Sequence, residues 1–218
     1  MKKILNKRLL TLSAFINDKE TVLDIGCDHG FLGIYLTLNK KKVKVISSDI
    51  NEKPLNKAKE NIHTFNLDKK IETRLGDGLE VISSDVVTVV ISGMGTENII
   101  KILSTINNYP NVKKLVLSPN NDFILLRKEI SKLGFTITKE EIVKEKGKYY
   151  LISEFLKGND KINYYFGKLD LTNDTVIDYY KYVYDNNKKI LNKLSLINKI
   201  KKLSLIKENY LIKKVVLK

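Results

Sequence analysis

The spacing of hydrophobic positions along this chain changes period more than once. Residues 4–16 place Leu5, Leu9, Leu12, Phe15 and Ile16 at helical intervals with lysine and arginine between them, which predicts a leading helix. From Thr21 the pattern switches to short β-branched runs separated by longer amphipathic segments. It predicts a strand at 22–25, a helix near 30–39, a strand at 43–48, a helix near 52–66 and a strand at 71–75. The alternation continues with a strongly apolar strand at 86–92, a helix near 96–107, a strand at 114–117 and a helix near 122–133. Strands alternating with helices of this length predict an α/β protein with a mostly parallel, doubly wound sheet. Ligands of such sheets bind outside the carboxyl ends of the strands. Two last strands, near 135–143 and 148–156, are separated only by Lys146-Gly147 and are expected to form an antiparallel hairpin on the sheet edge.

After Gly158 the composition turns to Lys, Asn, Tyr and Leu without glycine-rich turns, which predicts a boundary near 159 between a domain at 1–158 and an extension at 159–218. Ile177, Tyr180, Tyr184, Leu191, Leu194 and Ile197 recur at three, four and seven, as in an antiparallel helical hairpin or a short coiled coil. A chain of 218 residues with 43% hydrophobic side chains is long enough for one substantial core and such an appendage.

Charge adds a partner class. The net charge of +14 suits a polyanion, although 36 lysines against 3 arginines, with abundant Asn and Ile, is also what an AT-rich coding sequence yields. Residues 181–218 hold eleven lysines against Asp185 and Glu208, so the extension is the basic element. The single cysteine, Cys27, allows no internal disulfide and no paired-Cys metal signature, which points to a reducing compartment, the cytoplasm, and to no metal. Asn6, Lys7 and Arg8 interrupt the opening apolar run, and no apolar stretch is long enough for a membrane span.

The chemistry concentrates in loops that follow successive strands. Asp24-Ile25-Gly26-Cys27-Asp28-His29-Gly30 lies between the first strand and its helix, with Gly26 and Gly30 suited to a turn that a ligand approaches closely. A dinucleotide fingerprint would place a second glycine where Asp28 stands, and Asp24 precedes the turn. Two carboxylates repel a pyrophosphate but suit S-adenosylmethionine, which has no phosphate and carries a sulfonium and an amino group. Asp49-Ile50 ends the second strand, where an acidic side chain can accept hydrogen bonds from both ribose hydroxyls. Gly76-Asp77-Gly78 follows the third strand and offers Asp77 to an adenine amine, and Ser92-Gly93-Met94 leaves the most apolar strand near the transfer site. Each motif alone is compatible with an ordinary turn or strand end; their order makes coincidence improbable. Cys27 reads as a small turn filler, His63 as surface, and His29 equally as a site residue or a helix cap.

These residues resemble a known family. Arg8-Leu9, the Asp24–His29 turn, Gly76-Asp77-Gly78-Leu79, Ser92-Gly93-Met94-Gly95, Pro119-Asn120 and Gly147-Lys148-Tyr149-Tyr150 look like the bacterial TrmK family over about residues 1–157. The resemblance implies a Rossmann-like class I methyltransferase fold with a C-terminal coiled-coil-like extension. It implies an S-adenosylmethionine-dependent enzyme that methylates N1 of the D-arm adenine at position 22 in tRNA. Arg8, His29, Pro119, Asn120 and Tyr150 would then face the substrate. Asp28 is the candidate for stabilising charge on the methylated ring, with binding of the cofactor's amino group or helix capping as its alternatives. Thr96, Ser118 and Leu151 depart from the family pattern and bear on the target pocket. The rival readings are a methyltransferase for another RNA, a protein or a small molecule, and a non-catalytic nucleic-acid-binding protein on a Rossmann-like scaffold. A monomer is expected.

Overall fold

The apolar runs of Val, Ile and Leu become strands because both of their faces are covered, as a parallel sheet requires. The structure, a computed structural model, describes residues 6–40, 42–161, 163–194 and 198–217. It divides into two compact units, 1–167 and 168–218. The first contains α1 (Lys7–Ser13), β1 (Thr21–Ile25), α2 (Phe31–Asn39), β2 (Lys44–Asp49), α3 (Glu52–Thr64) and β3 (Ile71–Leu75). It continues with β4 (Thr88–Ser92), α4 (Thr96–Leu103), β5 (Lys114–Ser118), α5 (Phe123–Lys132), β6 (Phe135–Glu145) and β7 (Lys148–Lys157).

The seven strands run in the order β3-β2-β1-β4-β5-β7-β6. β1 through β5 pair in parallel, whereas β7 pairs antiparallel with β5 and with β6. The hairpin therefore lies at the edge, turned by Lys146 and Gly147, both at positive φ (48° and 77°) as a tight two-residue turn demands. One apolar layer, including Leu23, Ile91, Leu117, Ile99 and Phe155, covers one face. A second, with Leu12, Phe15, Val22, Ile34 and Val116, covers the other.

Three boundaries differ from the sequence pattern. The leading helix spans Lys7–Ser13, capped by the Asn6 side chain on the Leu9 N–H; Phe15 and Ile16 follow it, inserted into the core at 2% and 0% exposure, and Leu5 lies outside the described residues. α4 stops at Leu103, and a short 3-10 turn, Ile106–Asn108, completes the connection; Ser104 bonds the Lys101 carbonyl instead of extending the helix. The compact boundary falls after Gly167 rather than near 159. The buried Arg127 guanidinium donates to the Tyr164 and Tyr165 carbonyls at 3.0 Å each, which ties this segment to the sheet unit.

The second unit is a pair of helices, α6 (Asp174–Lys193) and α7 (Lys199–Val215). Of the expected positions Ile177, Tyr180, Tyr184, Leu191, Leu194 and Ile197, the described ones are buried or partly buried, and polar residues join them. Tyr180 is buried, but Asn187 and Asn209 are buried too, and they bond each other at 3.1 Å; Ile197 lies outside the described residues. Asn187 also donates to Glu208 at 2.9 Å, so a polar network fixes this helical pair. No helix among the described residues is long and apolar enough to cross a membrane.

Candidate active site

Four loops after β1, β2, β3 and β4 meet at the carboxyl edge, and backbone hydrogen bonds stitch each to its neighbour. Gly26 and Cys27 N–H groups both donate to the Ser48 carbonyl, Gly76 N–H to Asp49, and Gly93 N–H to Ser118. Gly26 and Gly93 stand at φ 74° and 84°, a conformation that costs glycine little and other residues much. At Gly26 an added Cβ would lie 2.3 Å from the Met94 methyl, so space also forbids a side chain there.

The loops enclose a cavity of about 1070 Å³. Of the residues singled out in the sequence, Asp24, Gly26, Cys27, Asp28, His29, Asp49, Ile50, Asp77, Gly78, Ser92, Gly93, Met94 and Arg8 line it. The structure places five others outside the lining. Gly30 caps α2 in the left-handed region with the Ala58 Cβ 3.0 Å from where its own Cβ would be, and Gly76 makes way for Val81. Pro119 is buried, and the Asn120 side chain donates to the Gly93 carbonyl at 2.6 Å while its N–H donates to the Met94 carbonyl, so it holds the β4 loop from behind. Tyr150 lies beneath the Arg8 guanidinium, 5.0 Å from ring centre to Cζ.

Asp24 and Asp49 are both nearly buried, at 4% and 8% exposure. Burial pushes the Asp24 carboxyl up to about 7, and the Asp49 charge adds to the shift. Asp49 accepts the Asn51 N–H at 2.9 Å, which orients its carboxylate. Cys27 is buried beside both carboxylates; burial first, then their charge, pushes its thiol well upward, so it stays protonated and is no nucleophile. Asp28 is different: its side chain is 73% exposed, it stands at φ 49°, and an oxygen lies 3.6 Å from His29 Nε2.

Periodicity could not reveal several other lining residues. Phe31 and Leu32 open α2, Ile102 comes from α4 and packs against Gly78, and Glu145 and Lys146 come from the hairpin turn, distant in sequence. Glu145 accepts the Lys7 N–H at 3.1 Å, which brings the hairpin to α1. Glu145 and Lys146 carry no motif, whereas Phe31 adjoins one. No group of three His, Cys, Asp or Glu side chains among the described residues could hold a metal.

The residues fit a cationic nucleoside ligand without phosphate. Asp24 offers a buried carboxyl to positive charge and Asp49 a second one to hydroxyl donors, the Ser92 hydroxyl is a buried polar atom without a hydrogen-bond partner, and the Gly26 turn admits close approach. Such a cavity on such a sheet defines the methyltransferase class, and the chain belongs to the family described as "Methyltransferase domain", which matches residues 5–153. It is 30% identical to TrmK of M. capricolum, solved with S-adenosyl-homocysteine, with a TM-score of 0.84 and 98% of each chain covered, which places it in the TrmK family. The solved B. subtilis M1A22 tRNA methyltransferase TrmK superposes at a TM-score of 0.84 with 26% identity, over 97% of this chain and 98% of that one. A curated relative, the tRNA (adenine(22)-N(1))-methyltransferase of Bacillus subtilis (strain 168), is 35% identical over 150 residues, 67% of this chain. The match spans 62% of that relative's length.

Proposed function

We propose that this chain is an S-adenosylmethionine-dependent tRNA methyltransferase of the cytoplasm, acting as a monomer on N1 of adenine 22. The observation that carries the reading is the acidic cavity at the carboxyl edge, together with relatives named for this reaction. When bound, the cofactor supplies a methyl group on a cationic sulfur. Asp24 holds the amino end, Asp49 takes the ribose hydroxyls and Asp77 the adenine amine, while Gly26 and Gly93 let the backbone close on the ligand. N1 lies on the pairing edge of adenine, so the base must leave its helix to reach the cavity. Asp28, at the cavity lining, stabilises the positive charge that the ring acquires on methylation. Calorimetry with S-adenosylmethionine and with NAD tests the cofactor, and mass spectrometry of nucleosides from incubated tRNA tests the product. Binding of NAD alone, or no N1-methyladenosine above background, would sink the proposal.

The Asp24 carboxyl makes cofactor binding pH-dependent. Its folded value of about 7 lies above the ordinary 3.8, so it is protonated below neutrality and ionised above. The same shift removes stability from the free protein as pH rises from about 4 to about 7. A cationic ligand needs the ionised form. Affinity for S-adenosylmethionine is therefore expected to rise between pH 6 and pH 8, by up to about tenfold, with proton release to the buffer. Calorimetry in buffers of different ionisation heat measures both; constant affinity without proton release would show that Asp24 does not meet the cation.

The helical unit from Lys168 onward serves as a tRNA-docking surface in this reading. Truncation after Gly167, which keeps the Tyr164 and Tyr165 carbonyls on Arg127, is expected to retain cofactor binding. Binding of tRNA should weaken, and the slope of log affinity against log salt should become shallower by about 0.7 to 0.9 per lost phosphate contact. An unchanged slope would leave these helices no part in recognition.

A further inference from the structure

The cavity lining combines two kinds of chemistry. The loops after β1, β2 and β3 contribute Asp24, Asp49 and Asp77; α1, the start of α2 and the hairpin turn contribute Arg8, Phe31 and Lys146. Phe31 is partly buried: it packs on the apolar layer that contains Leu32 and Ile34 while also lining the cavity. The His29 ring stacks against it, with centroids 5.7 Å apart and planes 25° from parallel, so two aromatic rings lie together in the lining. Arg8 sits over Tyr150, with its Nη1 3.3 Å from an ideal Cβ on Gly93. Lys146 is exposed on the hairpin turn. Among the described residues neither cation is ion-paired to a carboxylate, although Glu145 adjoins Lys146. An aromatic surface beside two available cations matches a planar ring on an anionic backbone.

We propose that the target nucleotide enters the cavity beside these groups, with its base stacked on the Phe31 ring and its flanking phosphates held by Arg8 and Lys146. The proposal deepens the methyltransferase reading and rests on it. A base drawn out of its helix loses its neighbours, and an aromatic ring replaces them through the π face. Stacking leaves the pairing edge, where N1 lies, free for transfer. His29 stacks on the platform ring, and Lys146, far from any motif, is a substrate-binding residue by position alone.

The chain contains no tryptophan, so Phe31→Trp introduces a single reporter. The full-length variant is first saturated with S-adenosyl-homocysteine. It is then titrated with a tRNA transcript carrying the target adenine and with the same transcript abasic at that position, occupancy being followed by anisotropy of labelled RNA. Emission quenched by the first RNA and far less by the second at equal occupancy supports the stack. Equal quenching, or none on bound RNA, overturns it while leaving the enzyme class intact. Failure to bind S-adenosyl-homocysteine overturns the parent reading and this proposal with it, and is seen before any RNA is added. Independently, Phe31→Leu should raise KM for tRNA by about tenfold to a hundredfold at unchanged cofactor affinity, with rescue by Phe31→Tyr. Lys146→Ala should lower the salt slope by about 0.7 to 0.9. A KM for Phe31→Leu within twofold of the parent, or an unchanged slope for Lys146→Ala, overturns the corresponding contact.

Discussion

Asp28→Asn is expected to lower turnover by about a hundredfold at saturating S-adenosylmethionine while leaving cofactor affinity nearly unchanged. The substitution removes the charge but keeps size and shape. Asparagine also tolerates the left-handed backbone that Asp28 adopts at φ 49°, so the motif turn should survive. The expected loss follows from position: Asp28 lines the cavity with a largely exposed side chain, whereas Asp24 and Asp49 are nearly buried and, in the proposed reading, are taken up by the amino end and the ribose of the cofactor. Single-turnover rates with cofactor affinity measured by calorimetry separate the two roles. A variant that keeps its turnover and loses only cofactor affinity would assign Asp28 to the cofactor's amino group.

Removing the Arg127 guanidinium is expected to destabilise the sheet unit by about 3 to 5 kcal/mol, because it strands a buried charge. Arg127 and Glu140 are 1% and 0% exposed in their side chains and lie 3.0 Å apart, with the Ser153 hydroxyl donating to the same carboxylate oxygen at 2.6 Å. Arg127→Ala takes the Arg127 charge away from Glu140 and releases the two carbonyls of Tyr164 and Tyr165. Urea unfolding measures the change. The double variant Arg127→Met with Glu140→Leu should recover much of the loss, since neither charge then remains buried. A single variant within about 1 kcal/mol of the parent would show that the pair contributes little. The effect bears on function only through stability, because the pair lies outside the cavity lining.

The element order, the parallel sheet and the loops that line the cavity were legible in the chain because each is local. Strand and helix differ in hydrophobic period, and a loop after a parallel strand must emerge at the carboxyl edge, so Asp24, Asp49, Asp77 and Ser92 could be placed together from their order alone. The hairpin was equally local, needing only a two-residue turn between two apolar runs. What tertiary structure decided are contacts between segments far apart in sequence. Nothing in the periodicity of residues 135–157 announces that Glu145 receives the Lys7 N–H, that Tyr150 lies under Arg8, or that Lys146 borders the cavity. Arg127 reads as an ordinary polar position of an amphipathic helix until the Glu140 carboxylate and two carbonyls surround it, and those carbonyls lie within the unit that ends at Gly167. The helical pair makes the same point: its apolar spacing predicts helices, but Asn187 and Asn209 are buried alongside Val176, Tyr180 and Ile212 and bond each other, since hydrogen bonds across an interface depend on which faces meet. A chain specifies its periods and turns by itself; which distant side chains share a cavity depends on the sheet order and register that only folding establishes.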